Sequence, residues 1–463
     1  MRLSRFPLIL LPCLVVWGSM PLLPAHSQDQ ETGKDQAEDT NETPLSSNED
    51  EKTLPLEELR VFAEVFGKIK SEYVDEVSDV ELLRNAIQGM LSGLDPHSIL
   101  LEPEEFREVR ISTEGKFGGL GIEVTIEDGL VRVVAPIDGT PAHDADIRSG
   151  DVIVRIDGQR VRGINLRDAV ESMRGEPGTR IVLTISREGV PEPFDVPLVR
   201  AVIKVTSVRG SLLDDSFGYA RISSFQSGTA TSLRSHIEKL KGLSEGPLDG
   251  LLLDLRNNPG GVLNSAVGVS DLFLESGNVV STRGRGNVVE DTYEARPGDI
   301  LDGAPIVILV NSGSASASEI VAGALQDHER AIIMGTRTFG KGSVQTVIPV
   351  NNGGALKLTT ARYYTPQLRS IQARGIEPDI EVRQSEVREI GAAQAVREAD
   401  LSGHLRQENP DADQGAAPDG GESGGAEEAG EEDLLAEDYQ LREALNLLKG
   451  LRLVYRKTND DGN

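Results

Sequence analysis

Four closely spaced serines and a lysine that follows them are the side chains in this sequence best suited to nucleophilic chemistry. The serines are Ser312, Ser314, Ser316 and Ser318. The wholly apolar run at 306–310 precedes them and predicts a buried strand of an α/β sheet, and a segment with helical spacing follows as far as Asp327. At such a strand-to-helix junction the first free N–H groups of the helix favour negative charge, which suits the oxyanion of acyl transfer. Residue types alone do not choose among the four serines.

A serine nucleophile needs a base, and His328 and Lys341 are the nearby candidates. His328 lies among charged residues in a cluster typical of a solvated helix end. Lys341 lies between two glycines, after a second apolar run at 331–334. A lysine acts as a base at neutral pH only when burial lowers its pKa, a shift to which the ammonium group is prone. The residues alone leave open two other interpretations: an exposed lysine in a glycine-rich turn, and serines that serve as helix caps.

Two motifs around these residues resemble the signature of the carboxyl-terminal processing peptidases, which are tail-specific serine proteases. The motifs are SASASEIVAGALQD and RTFGKGSVQT, with Lys341 placed 25 residues after Ser316. The resemblance implies that Ser316 is the nucleophile, that Lys341 is the general base and that Gln345 orients the lysine. It implies a chemistry that needs no metal and no organic cofactor.

A further motif, DLRNNPGG at 254–261, lies at the carboxyl end of a predicted strand, where open α/β sheets place their ligands. Taken alone, it predicts only a β-to-α turn. The resemblance implies that the N–H groups of Gly261 and Ala317 form an oxyanion hole, since a glycine lets the scissile carbonyl approach closely. Glu319 and Asp327 also match family-typical positions, and as charged residues flanking a helix they are expected to be structural.

Residues 113–200 predict a separate small β-rich domain with hairpin signals. Its sequence GGLGI resembles the carboxylate-binding loop of a PDZ domain, and SGDVIVRIDG further on is also PDZ-like. In such a loop successive backbone N–H groups hold a terminal carboxylate, and the neighbouring strand edge adds the peptide as an extra strand. The resemblance implies that peptide tails bind at Gly119, Leu120, Gly121 and Ile122.

The start of the chain predicts export. Residues 1–27 combine a charged start, an apolar core and a small-x-small site, as in a signal peptide. The apolar run is short and broken by prolines, so cleavage after Ser27 is favoured over an uncleaved membrane anchor. Residues 28–54 are acidic and lack apolar periodicity, which predicts a disordered linker. The mature protein is expected to be periplasmic or otherwise exported.

The remaining segments complete a multidomain α/β architecture. Residues 55–112 predict amphipathic helices, and an exposed apolar stripe on them makes dimerisation plausible. Within this region His97, in an LDPHS sequence that resembles the family's linker before its binding domain, is interpreted as a turn residue. Residues 201–384 alternate strands and helices and form the expected Ser/Lys peptidase core, for which the resemblance implies a crotonase-like layered sheet. The acidic, low-complexity segment 385–433 predicts a disordered linker, and 434–457 predicts a helix.

The role of the C-terminal helix is open among docking on the core, pairing with a second copy to form a homo-oligomer, and binding an adaptor protein. The net charge of −28 argues against a nucleic-acid partner or an anionic membrane. The only cysteine, Cys13, lies in the leader, so the mature chain has no disulfide. The six histidines lack the spacing of a metal site.

These observations predict an exported serine endopeptidase that recognises polypeptide C-termini. The alternative is a non-catalytic PDZ-type receptor for C-terminal tails, against which the joint presence of Ser316, Lys341 and Gln345 argues. A trypsin-like PDZ protease would need an early histidine in a double β-barrel and a G-x-S-G-G turn, and the sequence has neither.

Overall fold

The computed structural model describes residues 55–244, 246–385, 435 and 438–460. The predicted signal peptide (1–27), the acidic linker (28–54) and the predicted segment 385–433 apart from Ser385 lie outside the described residues. The chain divides into two compact units, Met1–Glu76 and Val77–Asn463. Among the described helices, none combines the length and the apolar character that a membrane crossing requires.

In the first unit the structure describes helix α1 (Leu56–Glu72). Apolar residues recur along it at three- and four-residue steps, which is the spacing of one helix face. All seventeen residues of α1 are described, and none of them is buried. The exposed apolar side chains of this face are Leu59, Phe62, Val65 and Ile69.

The second unit opens with three short elements, α2 (Asp79–Ser92), β1 (Ile99–Leu101) and α3 (Pro103–Glu114). Helix α2 begins where the Ser78 side chain accepts a hydrogen bond from the Glu81 N–H at 3.2 Å. The turn between α2 and β1 contains the LDPHS sequence, and His97 lies in that turn as predicted.

An antiparallel sheet with a covering helix forms the next part of the chain, as the hairpin signals predicted. The sheet order is β3-β4-β5-β7-β8, so β3 is an edge strand, and β6 pairs with β5. A separate two-stranded sheet pairs β2 with β9. The elements are β2 (Lys116–Gly119), β3 (Ile122–Glu127), β4 (Leu130–Pro136), α4 (Pro141–Asp144), β5 (Val152–Ile156), β6 (Gln159–Arg160), α5 (Leu166–Met173), β7 (Arg180–Ser186), β8 (Phe194–Val199) and β9 (Ala201–Lys204).

A six-stranded sheet of order β10-β11-β12-β15-β16-β19 forms the larger core. All pairs are parallel except β10 with β11. Strands β12 and β15 are buried along their whole length, which explains their unbroken apolar sequences. The elements are β10 (Val208–Leu213), β11 (Phe217–Ile222), α6 (Thr229–Leu243), β12 (Gly250–Asp254), α7 (Leu263–Asp271), β15 (Ile306–Val310), α8 (Ala317–Asp327), β16 (Ile332–Gly335) and β19 (Ile380–Glu381).

The long strand β18 (Ala355–Tyr364) organises a second, five-stranded sheet of the core. It pairs with β17 (Ser343–Pro349), β13 (Asn278–Arg283) and β1, and β13 pairs in turn with β14 (Val289–Glu294). In the β1 register Ile99 lies opposite Lys357. Strand β1 lies in the region 55–112, which was predicted to be helical. It therefore joins the same sheet as β17, the strand that follows Lys341 and contains Gln345.

Helices cover both faces of the six-stranded sheet. Helices α6, α7 and α8 pack on one face, and the C-terminal helix α9 (Tyr439–Asp460) packs on the other. Three roles were left open for the C-terminal helix, and in the structure this helix docks on the core. The sequence predicted the helix at 434–457. Its buried side chains are Leu441, Ala444, Leu445 and Leu448, and each buried leucine contributes about 1.5–3 kcal/mol. The predicted α/β core with a separate β-rich domain is confirmed.

Candidate active site

Ser316 occupies a strained turn between β15 and α8. Its backbone has φ 55° and ψ −110°, a conformation that costs a non-glycine residue about 1–3 kcal/mol. The residue is 4% exposed. The Ser316 N–H donates to Glu319 Oε2 at 2.7 Å, which holds the turn in place. Ser316 therefore directly precedes the first helical N–H groups, as the strand-to-helix pattern predicted.

Glu319 joins the serine turn to the loop that carries Lys341. Its fully buried carboxylate accepts hydrogen bonds from the N–H groups of Gly340 (2.6 Å) and Lys341 (2.9 Å) and from Thr338 Oγ1 (2.6 Å), besides that of Ser316. Four donors offset the cost of burying the charge. Glu319 thus ties two segments that are distant in sequence into one rigid unit.

Lys341 and Gln345 form a hydrogen-bonded pair. Lys341 Nζ donates to Gln345 Oε1 at 2.7 Å. Burial, reinforced by the positive charge of Lys357, lowers the pKa of the Lys341 ammonium. Between the described side chains of Lys341 and Ser316 no hydrogen bond is formed. Catalytic hydrogen bonds of this kind commonly tighten only when substrate is bound.

The Tyr363 phenol interacts with the Ser316 side chain, and burial raises the pKa of the phenol, which keeps it neutral. Tyr363 lies on β18 and was not among the residues predicted for the site. A signal was present, because strand alternation places Thr359, Ala361 and Tyr363 on one face of β18. Of these three residues, Thr359 contacts Gln345 and Tyr363 contacts Ser316.

The loop after β12 brings two glycines against the serine turn. A Cβ on Gly260 (φ 99°) would lie 2.8 Å from the Cβ of Ser316 and 2.9 Å from the Ala317 nitrogen. A Cβ on Gly261 (φ 143°) would lie 2.1 Å from the Phe225 carbonyl oxygen. Both positions therefore require glycine. Among the described residues no hydrogen-bond acceptor faces the N–H of Gly261 or of Ala317, so both donors are available.

Neither histidine named in the sequence analysis is paired with Ser316. His328 ends α8, where its Nε2 lies 2.7 Å from the Asn278 carbonyl oxygen. His97 lies in the turn before β1, and burial, followed by the charge of Lys341, lowers its pKa. Asp327 is ion-paired with Arg369, in keeping with its predicted structural role.

Comparisons with known proteins assign the chain to a family. The model of Peptidase family S41 matches residues 216–382, a PDZ domain model matches 118–198, and the model of the activating protease CtpB N-terminal domain matches 20–105. A carboxy-terminal-processing protease of Bartonella bacilliformis is 45% identical over 88% of this chain and 91% of its own length. The chain is a member of peptidase family S41, of the carboxy-terminal processing type.

Other relatives of this S41 peptidase carry the same description. A carboxyl-terminal-processing protease of Synechocystis sp. is 37% identical over 65% of this chain and 70% of its own length. The solved photosystem II D1 C-terminal processing protease is 31% identical over 70% of this chain and 93% of its own, with a TM-score of 0.42. The family assignment makes the protein a serine-type peptidase with a PDZ domain, and supports this function over that of a tail receptor. Its substrates are peptides or proteins with accessible C-termini.

The PDZ domain of the peptidase has a small cleft where the sequence predicted peptide binding. Gly119, Leu120, Gly121 and Ile122 line one side of it, Val170 and Met173 from α5 line the other, and the cavity measures about 160 Å³. Gly121 has φ 77°, and a Cβ there would lie 2.3 Å from the Thr140 side chain. The edge strand β3 begins at this cleft.

An ion-pair network links the C-terminal helix of the peptidase to its glycine loop. Arg256, which precedes the loop glycines, donates from Nη2 to Asp254 Oδ2 at 2.7 Å and to Asp438 Oδ2 at 2.6 Å. It also donates from Nη1 to Gln440 Oε1 at 3.1 Å. Burial alone would lower the pKa of Arg256, but the hydrogen bonds that it donates to both carboxylates raise it. Asp438, just before α9, and Gln440, in its first turn, thus brace the loop that carries Gly260 and Gly261.

Proposed function

We propose that this protein cleaves peptide bonds with Ser316 as nucleophile and Lys341 as general base. The observation that carries the proposal is the Lys341 amine, held by Gln345 in a loop that Glu319 ties to the Ser316 backbone. Burial lowers the lysine pKa, which is the condition for a lysine to serve as a base.

The reaction follows from these groups. Neutral Lys341 accepts the Ser316 proton as Oγ attacks the scissile carbonyl, and the resulting oxyanion accepts hydrogen bonds from the N–H groups of Gly261 and Ala317. Collapse of this intermediate expels the amine, which takes the proton from the Lys341 ammonium. Water, deprotonated by Lys341, then hydrolyses the acyl-enzyme and regenerates Ser316. Gln345 keeps the lysine oriented through both steps.

We propose further that the PDZ cleft captures the C-terminal tail of the substrate. The support is a glycine turn beside an open strand edge, with an apolar cavity for a terminal side chain. An unfolded reporter ending in an apolar residue is expected to be cleaved. The same reporter with its C-terminus amidated is expected to be cleaved about 10-fold or more slowly at low substrate concentration, because the charge-assisted hydrogen bonds to the carboxylate are lost.

Initial rates on the two reporters, which share one sequence, make the comparison. Equal rates would contradict tail capture while leaving the peptidase proposal intact. Cleavage of neither reporter would contradict the peptidase proposal itself.

We also propose export with cleavage after Ser27, and assembly of copies through the N-terminal helices. The apolar face of α9 is used within the core, whereas that of α1 is exposed. An adaptor protein is the other occupant that we propose for the α1 face. Native mass spectrometry of the protein from the exported fraction is expected to show chains that start at Gln28 and associate as dimers. Monomers that start at Met1 would contradict both proposals.

A further inference from the structure

The turn before β1 lies beside the predicted catalytic lysine although it is far from it in sequence. Antiparallel pairing of β1 with β18 places Asp95 and Ser98 next to Thr359. Thr359 Oγ1 donates to Asp95 Oδ1 at 3.1 Å, and the Thr359 N–H donates to Ser98 Oγ at 3.1 Å. Ser98 Oγ donates its own proton to Asp95 Oδ2 at 2.6 Å.

The Thr359 hydroxyl continues this chain of hydrogen bonds to Gln345. Gln345 Nε2 donates to Thr359 Oγ1 at 3.2 Å and to Ser343 Oγ at 2.9 Å. The opposite end of the amide, Oε1, accepts from Lys341 Nζ at 2.7 Å. An unbroken path therefore runs from the Asp95 carboxylate through Thr359 and Gln345 to the lysine.

The Asp95 carboxylate determines which group donates and which accepts in each hydrogen bond of this path. Burial would raise the pKa of Asp95, but hydrogen bonds from Ser98, the His97 N–H and Thr359 lower it, so the group is an ionised acceptor at neutral pH. Thr359 must then donate to Asp95, and its lone pairs are left to accept from Gln345. With both its N–H groups engaged on one side, the amide presents Oε1 to Lys341.

We propose that Asp95, acting through the Thr359 hydroxyl, is a positioning residue that holds the Gln345 amide oxygen toward Lys341. The inference rests on the proposed roles of Lys341 and Gln345. It adds Asp95, a residue that lies far before them in the sequence. A simpler role for Asp95 is to shape its own turn, since Oδ1 also accepts from the N–H groups of His97 (2.8 Å) and Ser98 (3.0 Å). That role requires neither charge nor a bond to Thr359.

The substitutions Asp95→Asn and Thr359→Val separate the two roles. Asparagine retains an acceptor oxygen for the turn but removes the charge, and valine keeps the shape of threonine without its hydroxyl. Each variant is expected to lower kcat about 10- to 100-fold with KM changed less than about 3-fold, because the lysine is misplaced while substrate contacts are kept. Thr360→Val is the matched control, since the exposed neighbouring hydroxyl pairs with Thr346 at 2.8 Å instead.

The pH profile shows whether the charge of Asp95 acts on the pKa of Lys341. The charged groups facing Lys341 are Lys357 on β18, Glu319 on α8 and Asp95 in the turn, where His97 also lies. Asp95 favours the ammonium form of Lys341, so its loss is expected to move the rising limb of kcat/KM to lower pH. A fall in kcat that comes with a lowered Tm in Asp95→Asn and is absent in Thr359→Val would overturn the proposal in favour of the turn-shaping role.

Coupling between the variants completes the test. Because Asp95 and Thr359 act in series, the double variant is expected to be no slower than the slower single variant, whereas multiplied losses would overturn the proposal. Gln345→Ala separates the role proposed for Gln345 from the role proposed for Asp95. If it slows the enzyme while Asp95→Asn and Thr359→Val remain as fast as the unaltered protein, only the inference about Asp95 fails. If it has no effect, the role proposed for Gln345 fails, and this inference with it.

Discussion

Replacing Ser316 with alanine is expected to abolish hydrolysis, with kcat reduced at least about 10⁴-fold. The reason is that Ser316 is the proposed nucleophile, and alanine has no oxygen with which to attack the scissile carbonyl. Alanine tolerates the strained backbone as well as serine does, so the fold should be kept. Initial rates on the unfolded reporter measure the effect, and the variant should still bind the reporter's tail.

Ser312→Ala is the matched control for that variant. Ser312 lies four residues earlier in the same serine-rich stretch but is exposed, and its alanine variant is expected to keep full activity. A fluorophosphonate probe, which reacts with activated serines, should label the unaltered protein and Ser312→Ala but not Ser316→Ala. Equal residual cleavage by all three proteins would indicate a contaminant or a different site.

Replacing Lys341 with arginine is expected to reduce kcat about 10²–10⁴-fold at every pH, because a guanidinium remains protonated and cannot accept the serine proton. By the proposed mechanism, only the neutral amine of Lys341 is active in the unaltered enzyme. The rate should therefore be low below the pKa of Lys341, rise with pH through it and level off above it. That rise should occur below the pH at which an ordinary lysine titrates, because burial lowers this pKa.

Lys357→Ala tests the assignment of this pH limb to Lys341. The charge of Lys357 lowers the pKa of Lys341, so its removal is expected to move the rising limb to higher pH. This shift is opposite in sign to the one expected for Asp95→Asn. Rates that do not change across the pH range, or a limb that survives in Lys341→Arg, would contradict the role of Lys341 as the base.

Features encoded by local spacing were predictable from the sequence. The apolar run of β15, the serines after it and the helical spacing of α8 together predicted where Ser316 would lie. The four-residue step from Lys341 to Gln345 did not by itself predict their bond, and the family resemblance supplied that pair. The alternation of strands and helices in residues 201–384 likewise predicted the α/β core.

Contacts between segments that are distant in the sequence could not be predicted from local spacing. Asp95 appeared only as part of a linker, and Tyr363 was not predicted to lie near Ser316, because these contacts depend on strands far apart in the sequence that pair with β18. Asp438 lies just before α9, and nothing near it in the sequence points to Arg256. The burial of Glu319 also could not be predicted from the sequence, since a carboxylate near a helix start is usually a solvated first-turn residue.

The bracing of the glycine loop by α9 has a kinetic consequence for this enzyme. Arg256 and Asp438 are 182 residues apart in sequence, and Asp95 and Thr359 are 264 apart. Contacts that close such long loops cost much chain entropy and form late in folding. A chain still emerging from the ribosome has made neither contact until most of its length is synthesised. Proteolytic activity should therefore appear only at the end of folding, so that the nascent chain is not yet a protease.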